Sequence, residues 1–291
     1  MKILAATDFS TRSNRALRQA ALLAQSDDSL LFMVHVVDND QPDDLVRMEQ
    51  REAERILREQ MGAMPEIRWT HARPMVIAGD PFDGILQAAA EIQPDLIVMG
   101  SHRKQLLRDI FIGTTVERVI RKGSVPVLMV NHEAQRRYER ILAPTDMSDV
   151  SASALHAARS IGLLGDGATL VHAFTALAKG KMSVAGVDRD SIADYIEGER
   201  RQVSNELAAF LIANDLQGSQ WRLRVEDGSP MEIISRAVTD IEPDLMVMGT
   251  HGRSRLIKAL IGSTTEEALR SLNVDILVVP SIERLPIVAA L

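Results

Sequence analysis

The chain has 291 residues, of which 46% are hydrophobic and 25% charged, with a formal net charge of −7 and no cysteine. This composition is typical of a soluble globular protein with room for two domains, and it excludes disulfides, thiolate metal sites and thiol nucleophiles. The negative charge argues against a nonspecific nucleic-acid binder, for which a basic face is expected.

No targeting or membrane segment is predicted. No stretch approaches the ~18 uninterrupted apolar residues of a membrane span. Met1 leads directly into a strand-like segment, without the apolar region of a secretory signal peptide. We therefore expect a cytoplasmic protein that makes no membrane contact.

In the first half, short apolar runs alternate with helical patterns. Helices are predicted over 13–24, 45–61, 81–92 and 115–121, and the apolar run at 96–99 is predicted to be a buried strand. Continuous runs of this length are typical of a parallel sheet covered on both faces. Ser10 is the predicted N-cap of the first helix, and Pro81 suits a first helical turn.

The second half restarts the same pattern in the same order. The segment YERILAPTDMS at 138–148 repeats MKILAATDFS at 1–10, and the apolar run at 274–279 repeats the one at 125–130. Ordered matches of this kind indicate two copies of one domain. We predict two tandem doubly wound α/β domains, each with a five-stranded parallel sheet and helices on both faces.

A polar joint at 131–137 separates the copies, and such a composition is typical of a short linker. The predicted domains therefore span 1–134 and 138–291. Within the second domain, Ser148 and Pro230 are the predicted starts of two helices.

One segment of the second half departs from the repeat. Residues 176–189 contain Gly180 and Gly186 and show no clear periodicity, so a mobile loop is predicted ahead of a long helix at 191–214. A lid, a docking segment and an ordinary crossover all remain open as its role.

A glycine motif closes each half, intact in the second copy and altered in the first. The second half reads PDLMVMGTHG at 243–252 and, after nine residues, GST at 262–264; the first half reads PDLIVMGSHR at 94–103 and then GTT at 113–115. Arg103 thus replaces the counterpart of Gly252. Its bulk fills space that glycine leaves to a ligand, although a guanidinium also binds phosphate. We expect one standard site, in the second half, and a first site that is empty, structural or specialised for another ligand.

Ligands of open parallel sheets bind beyond the carboxyl ends of the strands, where the strand order reverses. At that edge the second half is expected to place Thr145, Asp146, His172, Ala173, residues 248–252 and residues 262–264. The last of these segments opens the final helix, whose free amides and dipole favour an anion. Gly249 and Gly252 are expected to leave room for the ligand and to take positive φ. Together the two short segments predict a phosphate cradle.

Other chemical motifs are absent from the sequence. It contains no G-x-x-x-x-G-K-[ST], no complete G-x-G-x-x-G after a first strand, no G-x-S-x-G and no H-E-x-x-H. The histidines lack metal-ligand spacing, and His35 and His172 are interpreted as packed structural residues. No activating base can be identified for Ser263. We therefore predict no catalytic residue and no protein metal site.

Taken together, the motifs resemble the universal stress protein family in its tandem, two-domain form. The family signature G-x2-G-x9-G-[ST] is complete in the second half as Gly249, Gly252, Gly262 and Ser263. The opening P-T-D-x-S is complete at 144–148 and altered to ATDFS in the first half. The resemblance implies that the second domain binds ATP, with or without Mg²⁺.

The resemblance also implies a role for individual residues. It places Asp146 and Ala173 beside adenine, although the family often has valine at the second position. It places Met248 and Gly249 near the ribose. The candidate nucleotide-binding residues are Pro144, Thr145, Asp146, Ala173, Met248, Gly249, Gly252, Arg253, Gly262, Ser263 and Thr264.

Three classes of function remain open. The first is an ATP-binding stress-response or regulatory protein. The second is a slow ATPase or nucleotidyl transferase, for which only Asp146 is a candidate base or metal-binding carboxylate. The third is an interaction module that needs no nucleotide or that binds an apolar ligand.

Assembly is expected within one chain. Single-domain family members dimerise through their last strands, so the resemblance implies that 125–130 and 274–279 form this contact as an intramolecular pseudo-dimer. The contact would also cover sheet edges that otherwise associate. Homodimerisation and the identity of a protein partner stay open.

Overall fold

A computed structural model describes residues 1–25, 28–69, 71–101, 114–164, 168–217, 221–250 and 261–281. The first half contains strands β1 to β5 and helices α1 to α4, with a short 3-10 helix at Pro65–Trp69. The strands are Lys2–Ala6, Leu30–Val37, His71–Ala78, Leu96–Gly100 and Val127–Val130. The helices are Thr11–Leu23, Asp43–Ala63, Pro81–Ile92 and Thr115–Lys122.

The second half contains strands β6 to β10 and helices α5 to α9. The strands are Ile141–Pro144, Thr169–Phe174, Arg222–Asp227, Leu245–Gly249 and Asp275–Val279. The helices are Asp149–Ser160, Lys179–Val184, Arg189–Ala213, Pro230–Ile241 and Ser263–Ser271. Among the described residues, no helix combines the length and the apolar character that crossing a membrane requires.

All ten strands belong to one sheet, in the order β3-β2-β1-β4-β5-β10-β9-β6-β7-β8. Neighbouring strands of the same half are parallel, whereas β5 and β10 are antiparallel and place Leu128 opposite Leu277. The predicted fold of two tandem parallel α/β units is thus confirmed. The last strands of the two halves, β5 and β10, pair with each other, as the family resemblance of the sequence implied.

The apolar core lies on both faces of this sheet and continues across the junction between the halves. One apolar cluster contains residues of α1, α2, α5 and α7, and the other contains residues of α3, α4, α8 and α9. Alternating side chains of the strands divide between them, since Leu128 belongs to the first cluster and Met129 to the second. Because each cluster includes both halves, burial holds the two units together.

The predicted helix-start signals at Ser10, Ser148, Pro81 and Pro230 are confirmed. The Oγ of Ser10 accepts a hydrogen bond from Ser13 N, and that of Ser148 accepts one from Ser151 N, each at 3.2 Å. Pro81 and Pro230 each occupy the first turn of their helix, where a missing N–H costs nothing. These caps fix where the loops at the carboxyl edge of the sheet end.

The joint between the halves is tied to β10 by Asp275, which is 3% exposed. Its Oδ1 accepts hydrogen bonds from Asn131 N at 2.7 Å and His132 N at 3.0 Å, and its Oδ2 accepts one from the Tyr138 hydroxyl at 2.7 Å. Burial raises the pKa of Asp275 against the effect of these bonds. Pro126 is the counterpart of Asp275 in the first half. Because proline has no carboxylate, it cannot accept the hydrogen bonds that Asp275 accepts.

The prediction of an irregular loop over 176–189 was wrong in part, because Lys179–Val184 forms helix α6. The segment is held against β8 by Asp227, whose carboxylate accepts hydrogen bonds from Ala176 N at 2.9 Å and from Lys179 Nζ at 2.7 Å. A helix of 6 residues spans less than two turns and shows too little periodicity to be recognised in a sequence. The lid or docking role of this segment stays a prediction.

Candidate functional site

The carboxyl ends of β6, β7 and β9 meet the start of α9 at the edge where the strand order of the second half reverses. Thr145 and Asp146 follow β6, Ala173 lies near the end of β7, and Gly249 ends β9. Such a reversal is the usual ligand-binding position of an open α/β sheet. The predicted site residues within the described part of the chain therefore lie along one edge.

Two hydrogen bonds join the separate pieces of the glycine motif. Gly262 N donates to Thr250 O at 2.6 Å, and the Thr265 hydroxyl donates to Gly249 O at 2.9 Å. Both bonds hold the end of β9 against the first turn of α9. The residues between these pieces, including the candidates Gly252 and Arg253, lie outside the described residues, as does Arg103 in the first half.

The expectation that Gly249 takes a positive φ was wrong. A Cβ atom at this position would lie 2.7 Å from Val150 Cγ1, and a Cβ atom at the equivalent Gly100 would lie 2.7 Å from Arg12 O. Real Cβ atoms do not approach other atoms so closely. The first glycine of each motif therefore lets the end of its own strand pack against a helix start. Gly249 packs against α5, and Gly100 packs against α1.

Asp146 is held in a tight turn at the start of α5. Its Oδ1 accepts hydrogen bonds from Ser148 N at 3.1 Å and from the Ser151 hydroxyl at 2.7 Å. In the first half, Asp8 Oδ1 accepts one from Ser10 N at 3.0 Å. Burial would raise the pKa of Asp8, but hydrogen bonds from the hydroxyls of Ser10 and Ser13 outweigh it and hold that pKa below its usual value. Both carboxylates thus stabilise their turns.

The two histidines of the equivalent strands have a structural role, as predicted. His172 Nδ1 lies 2.7 Å from Thr145 O, and His35 Nδ1 lies 2.9 Å from Thr7 O. Because a carbonyl oxygen only accepts hydrogen bonds, Nδ1 carries the proton in each ring. The contact ties each second strand to the loop after the first strand and so fixes the loop that carries the aspartate.

The starts of α4 and α9 differ although their sequences are alike. In α4, Thr114 and Glu117 form a capping box, in which Thr114 Oγ1 accepts from Glu117 N at 3.2 Å and Glu117 Oε2 accepts from Thr114 N at 3.0 Å. In α9 the N-cap is Gly262, and no side-chain cap is present among the described residues. The first turn of α4 is thus closed by a carboxylate, whereas that of α9 presents amides without such a cap.

Sequence reasoning missed this difference because both halves carry the pattern [ST]-x-x-E, as TTVE at 114–117 and STTE at 263–266. In the second half the helix begins at Ser263 itself, and Glu266 instead pairs with Arg270 at 2.6 Å. The pattern alone does not reveal which residue becomes the N-cap.

A cavity of about 240 Å³ occupies the corresponding edge of the first half. It lies between the ends of β1, β2 and β4 and the first turns of α1 and α4. Its polar lining includes Thr7, Asp8, Arg12, His35, Ser101 and Thr115. Arg12 has no charged counterpart in the second half, where Val150 takes its place.

Metal binding by the protein alone finds no support within the described ranges. No cluster of three or more histidine, aspartate or glutamate side chains there has the arrangement of a metal site.

Comparison with known proteins yields a consistent family. The family model described as "Universal stress protein family" matches residues 1–131 and 137–280. Universal stress protein MJ0577 of Methanocaldococcus jannaschii is 36% identical over 61 residues, which is 21% of this chain and 38% of that protein. Universal stress protein E of Escherichia coli K12 is 22% identical over 207 residues, which is 68% of this chain and 65% of that protein.

Among solved structures, a universal stress protein from Archaeoglobus fulgidus is similar over the full length. The TM-score is 0.66 at 21% identity, with 97% of each chain covered. This similarity supports the fold of the tandem unit.

Proposed function

The chain belongs to the universal stress protein family, and we propose that it is a tandem stress-response or regulatory protein that binds ATP in its second half. The observation that carries the proposal is the start of α9. Its amides lack a side-chain cap among the described residues, and it is held beside the end of β9 by the Gly262–Thr250 hydrogen bond. A helix start of this kind favours a phosphate group.

We place the phosphate end of the proposed site at the start of α9. Ser263 is exposed and Thr264 is half-buried, so both hydroxyls and the adjacent amides are accessible to a ligand. We propose that they bind the phosphates together with Gly252 and Arg253, which precede them in the sequence. Mg²⁺, where it is bound, would be held mainly by phosphate oxygens.

The proposed nucleoside end lies at the ends of β6, β7 and β9. We assign Asp146 and Ala173 to adenine and Met248 and Gly249 to the ribose. The turn that fixes Asp146 gives its carboxylate a defined direction before ligand binding, and preorganisation of this kind favours affinity. Pro144 and Thr145 support the same loop, since Thr145 N donates to Val171 O at 2.9 Å.

For the first half we propose a stabilising or regulatory role without ATP in the standard position. Its α4 start is closed by the carboxylate of Glu117, which is 4% exposed. An anionic phosphate placed there would meet like charge at a helix end whose cap is already formed. The closed cap of α4 thus disfavours a phosphate in the first half without any contribution from Arg103.

We further propose the domain limits 1–134 and 138–291 and a cytoplasmic location. The antiparallel pairing of β5 with β10 supports an intramolecular pseudo-dimer, because it joins two equivalent units through equivalent strands. With this pairing, β3 and β8 are the edge strands of the sheet in the described part of the chain.

The test is calorimetric titration of ATP into the wild-type chain and into Gly252→Arg, which copies the first half. We expect the variant to bind ATP at least about 100-fold more weakly, because in the proposed site the bulk of arginine competes with the phosphates for the space that glycine leaves. Gly198→Arg is the matched control, since Gly198 lies exposed in α7 with no neighbouring atom within 4 Å of its Cβ position. Normal ATP binding by Gly252→Arg, or none by the wild type, contradicts the proposal.

A further inference from the structure

An ion pair between Arg270 and Glu117 connects the second half to the first. Arg270 of α9 donates from Nε to Glu117 Oε1 of α4 at 3.1 Å. The Glu117 side chain is 5% exposed, whereas that of Arg270 is 60% exposed. Leaving a buried carboxylate unpaired is costly. The contact with Arg270 therefore stabilises Glu117 more than an ion pair between two exposed side chains would.

Glu117 is at the same time the carboxylate that closes the start of α4. Its second oxygen accepts the hydrogen bond of Thr114 N. The two residues that follow Thr114, namely Thr115 and Val116, line the 240 Å³ cavity of the first half. A single side chain therefore connects Arg270 of the second half with the wall of that cavity.

The repeat is broken at this contact. Glu266 and Arg121 are the counterparts of Glu117 and Arg270. Glu266 pairs within its own helix with Arg270 at 2.6 Å, and the buried Nε of Arg121 finds no hydrogen-bond partner among the described residues. The contact thus runs from α9 to the cap of α4 and has no equivalent in the opposite direction.

We infer that the Arg270–Glu117 pair transmits occupancy of the α9 start in the second half to the cavity of the first half. The inference rests on the proposed function, since it takes the ligand of α9 to be the phosphate end of ATP. Arg270 lies seven residues after Ser263, two helical turns or about 10 Å along the axis. A short helix moves as one body, so a ligand that anchors its start also restrains Arg270.

The consequence falls on the capping box of the first half. With Arg270 restrained, Glu117 is held in the position that also binds Thr114 N, and the first turn of α4 opens less often. Linkage makes the effect reciprocal, so that a ligand which stabilises the first cavity with α4 closed raises the affinity for ATP in the second half by the same factor.

Hydrogen exchange measured by mass spectrometry tests the inference on the whole chain. The exchange rates of peptides covering 114–122 are compared with and without saturating ATP, and calorimetry on the same samples establishes ATP binding. We expect ATP to slow this exchange about fivefold in the wild type, the lower end of typical coupling between sites. In Arg270→Gln we expect ATP to bind but to leave the exchange of 114–122 unchanged.

Two further variants separate transmission from a general loss of structure. Glu266→Gln removes the other ion pair of Arg270 and keeps the contact with Glu117, so the response to ATP should remain. Glu117→Gln keeps an acceptor for Thr114 N but loses the charge that faces Arg270, so the response should disappear. The ratio of rates within each variant corrects for any change in basal stability.

Each outcome has a defined meaning. If ATP binds the wild type but exchange at 114–122 does not change, the inference is overturned and the proposed function stands. A response that persists in Arg270→Gln also overturns it, because the signal then takes another route. If the wild type binds no ATP, the proposed function fails and the inference fails with it.

Discussion

Gly100 and Gly249 occupy the same position in the two halves, and each makes room for a neighbouring helix. The obstacle to a side chain differs between them. At Gly100 the nearest atoms are backbone atoms of Arg12 and Ser13, at 2.7–2.9 Å from a Cβ position, whereas at Gly249 the nearest is the Val150 side chain, with backbone no closer than 3.3 Å. A side chain can rotate away, but the first turn of a helix cannot.

We therefore predict that Gly100→Ala destabilises the protein more than Gly249→Ala. Overpacking costs about 1–3 kcal/mol, and the backbone clash at Gly100 should lie at the upper end. The free energy of unfolding by chemical denaturation measures the difference. Gly62→Ala is the control, because Gly62 lies in α2 with no atom within 4 Å of its Cβ position; equal costs at Gly100 and Gly249 contradict the argument.

At the scale of single residues, the sequence predicted where the motif glycines lie better than it predicted why glycine is needed there. The rule for open parallel sheets placed Gly249 and Gly262 at the carboxyl edge, where the structure has them, whereas Gly252 lies outside the described residues. Sequence reasoning assigned Gly249 a positive φ, which the structure contradicts, because close approach of a helix is a tertiary effect that no local pattern encodes. The hydrogen bonds of the two histidines agree with the predicted structural role, although His35 and His172 lie inside β2 and β7 rather than at the strand ends.

At the scale of secondary structure, α6 and its anchor are specific to the second half. Asp227 holds the segment through Ala176 N and Lys179 Nζ, and Ala78 stands at the equivalent position in the first half. The hydrogen bond from Ala176 N, followed by that from Lys179, lowers the pKa of Asp227. The carboxylate is therefore more acidic in the folded chain than in the unfolded one.

The sign of the pH dependence follows from this shift. A carboxylate with a lowered folded pKa stabilises the folded state above its unfolded pKa, about 3.9, and loses that contribution as the pH falls through the folded pKa. We predict that α6 detaches from β8 only in that acidic range. The amide resonance of Ala176, followed by NMR against pH, should titrate below the usual aspartate value, and it should not titrate there in Asp227→Asn. A midpoint at or above about 3.9 in the wild type contradicts the prediction.

Long periodic helices and buried strands were predictable from the sequence, and so were the starts of α4 and α9, but the way each start is capped was not. The helix at 81–92 matched its predicted limits because Asp80 caps it and Pro81 begins it. The starts of α4 and α9 carry the same [ST]-x-x-E pattern and yet differ by one residue in where the helix begins. The pairing of Glu117 with Arg270 favours the capping box in α4, and this contact spans 153 positions of the chain.

At the scale of the whole molecule, the two halves form one continuous sheet with apolar layers on both faces. Strands β5 and β10 lie at its centre, and Leu128, Leu277 and their neighbours are fully buried. The resemblance to the universal stress proteins implied this contact, since single-domain members of the family pair through their last strands. The buried anchor at Asp275 was not predictable, since its partners lie in a joint that reads as an ordinary linker.

This architecture lets the halves diverge in function while they share a core. The second half presents an α9 start without a side-chain cap among the described residues, whereas the first half closes the α4 start with Glu117 and retains a polar cavity. The ion pair between Arg270 and Glu117 connects the helix starts at these two edges. Under the two proposals, the second half binds the nucleotide and the first half responds to it.

The central claim is that one ATP binds per chain, in the second half. Native mass spectrometry of freshly purified protein, with added ATP where none is retained, tests it most directly because it counts ligands per chain. We predict a single mass increment of one ATP for the wild type and for Gly198→Arg, and no increment for Gly252→Arg. Two increments on the wild type, none, or one that survives in Gly252→Arg would contradict the account.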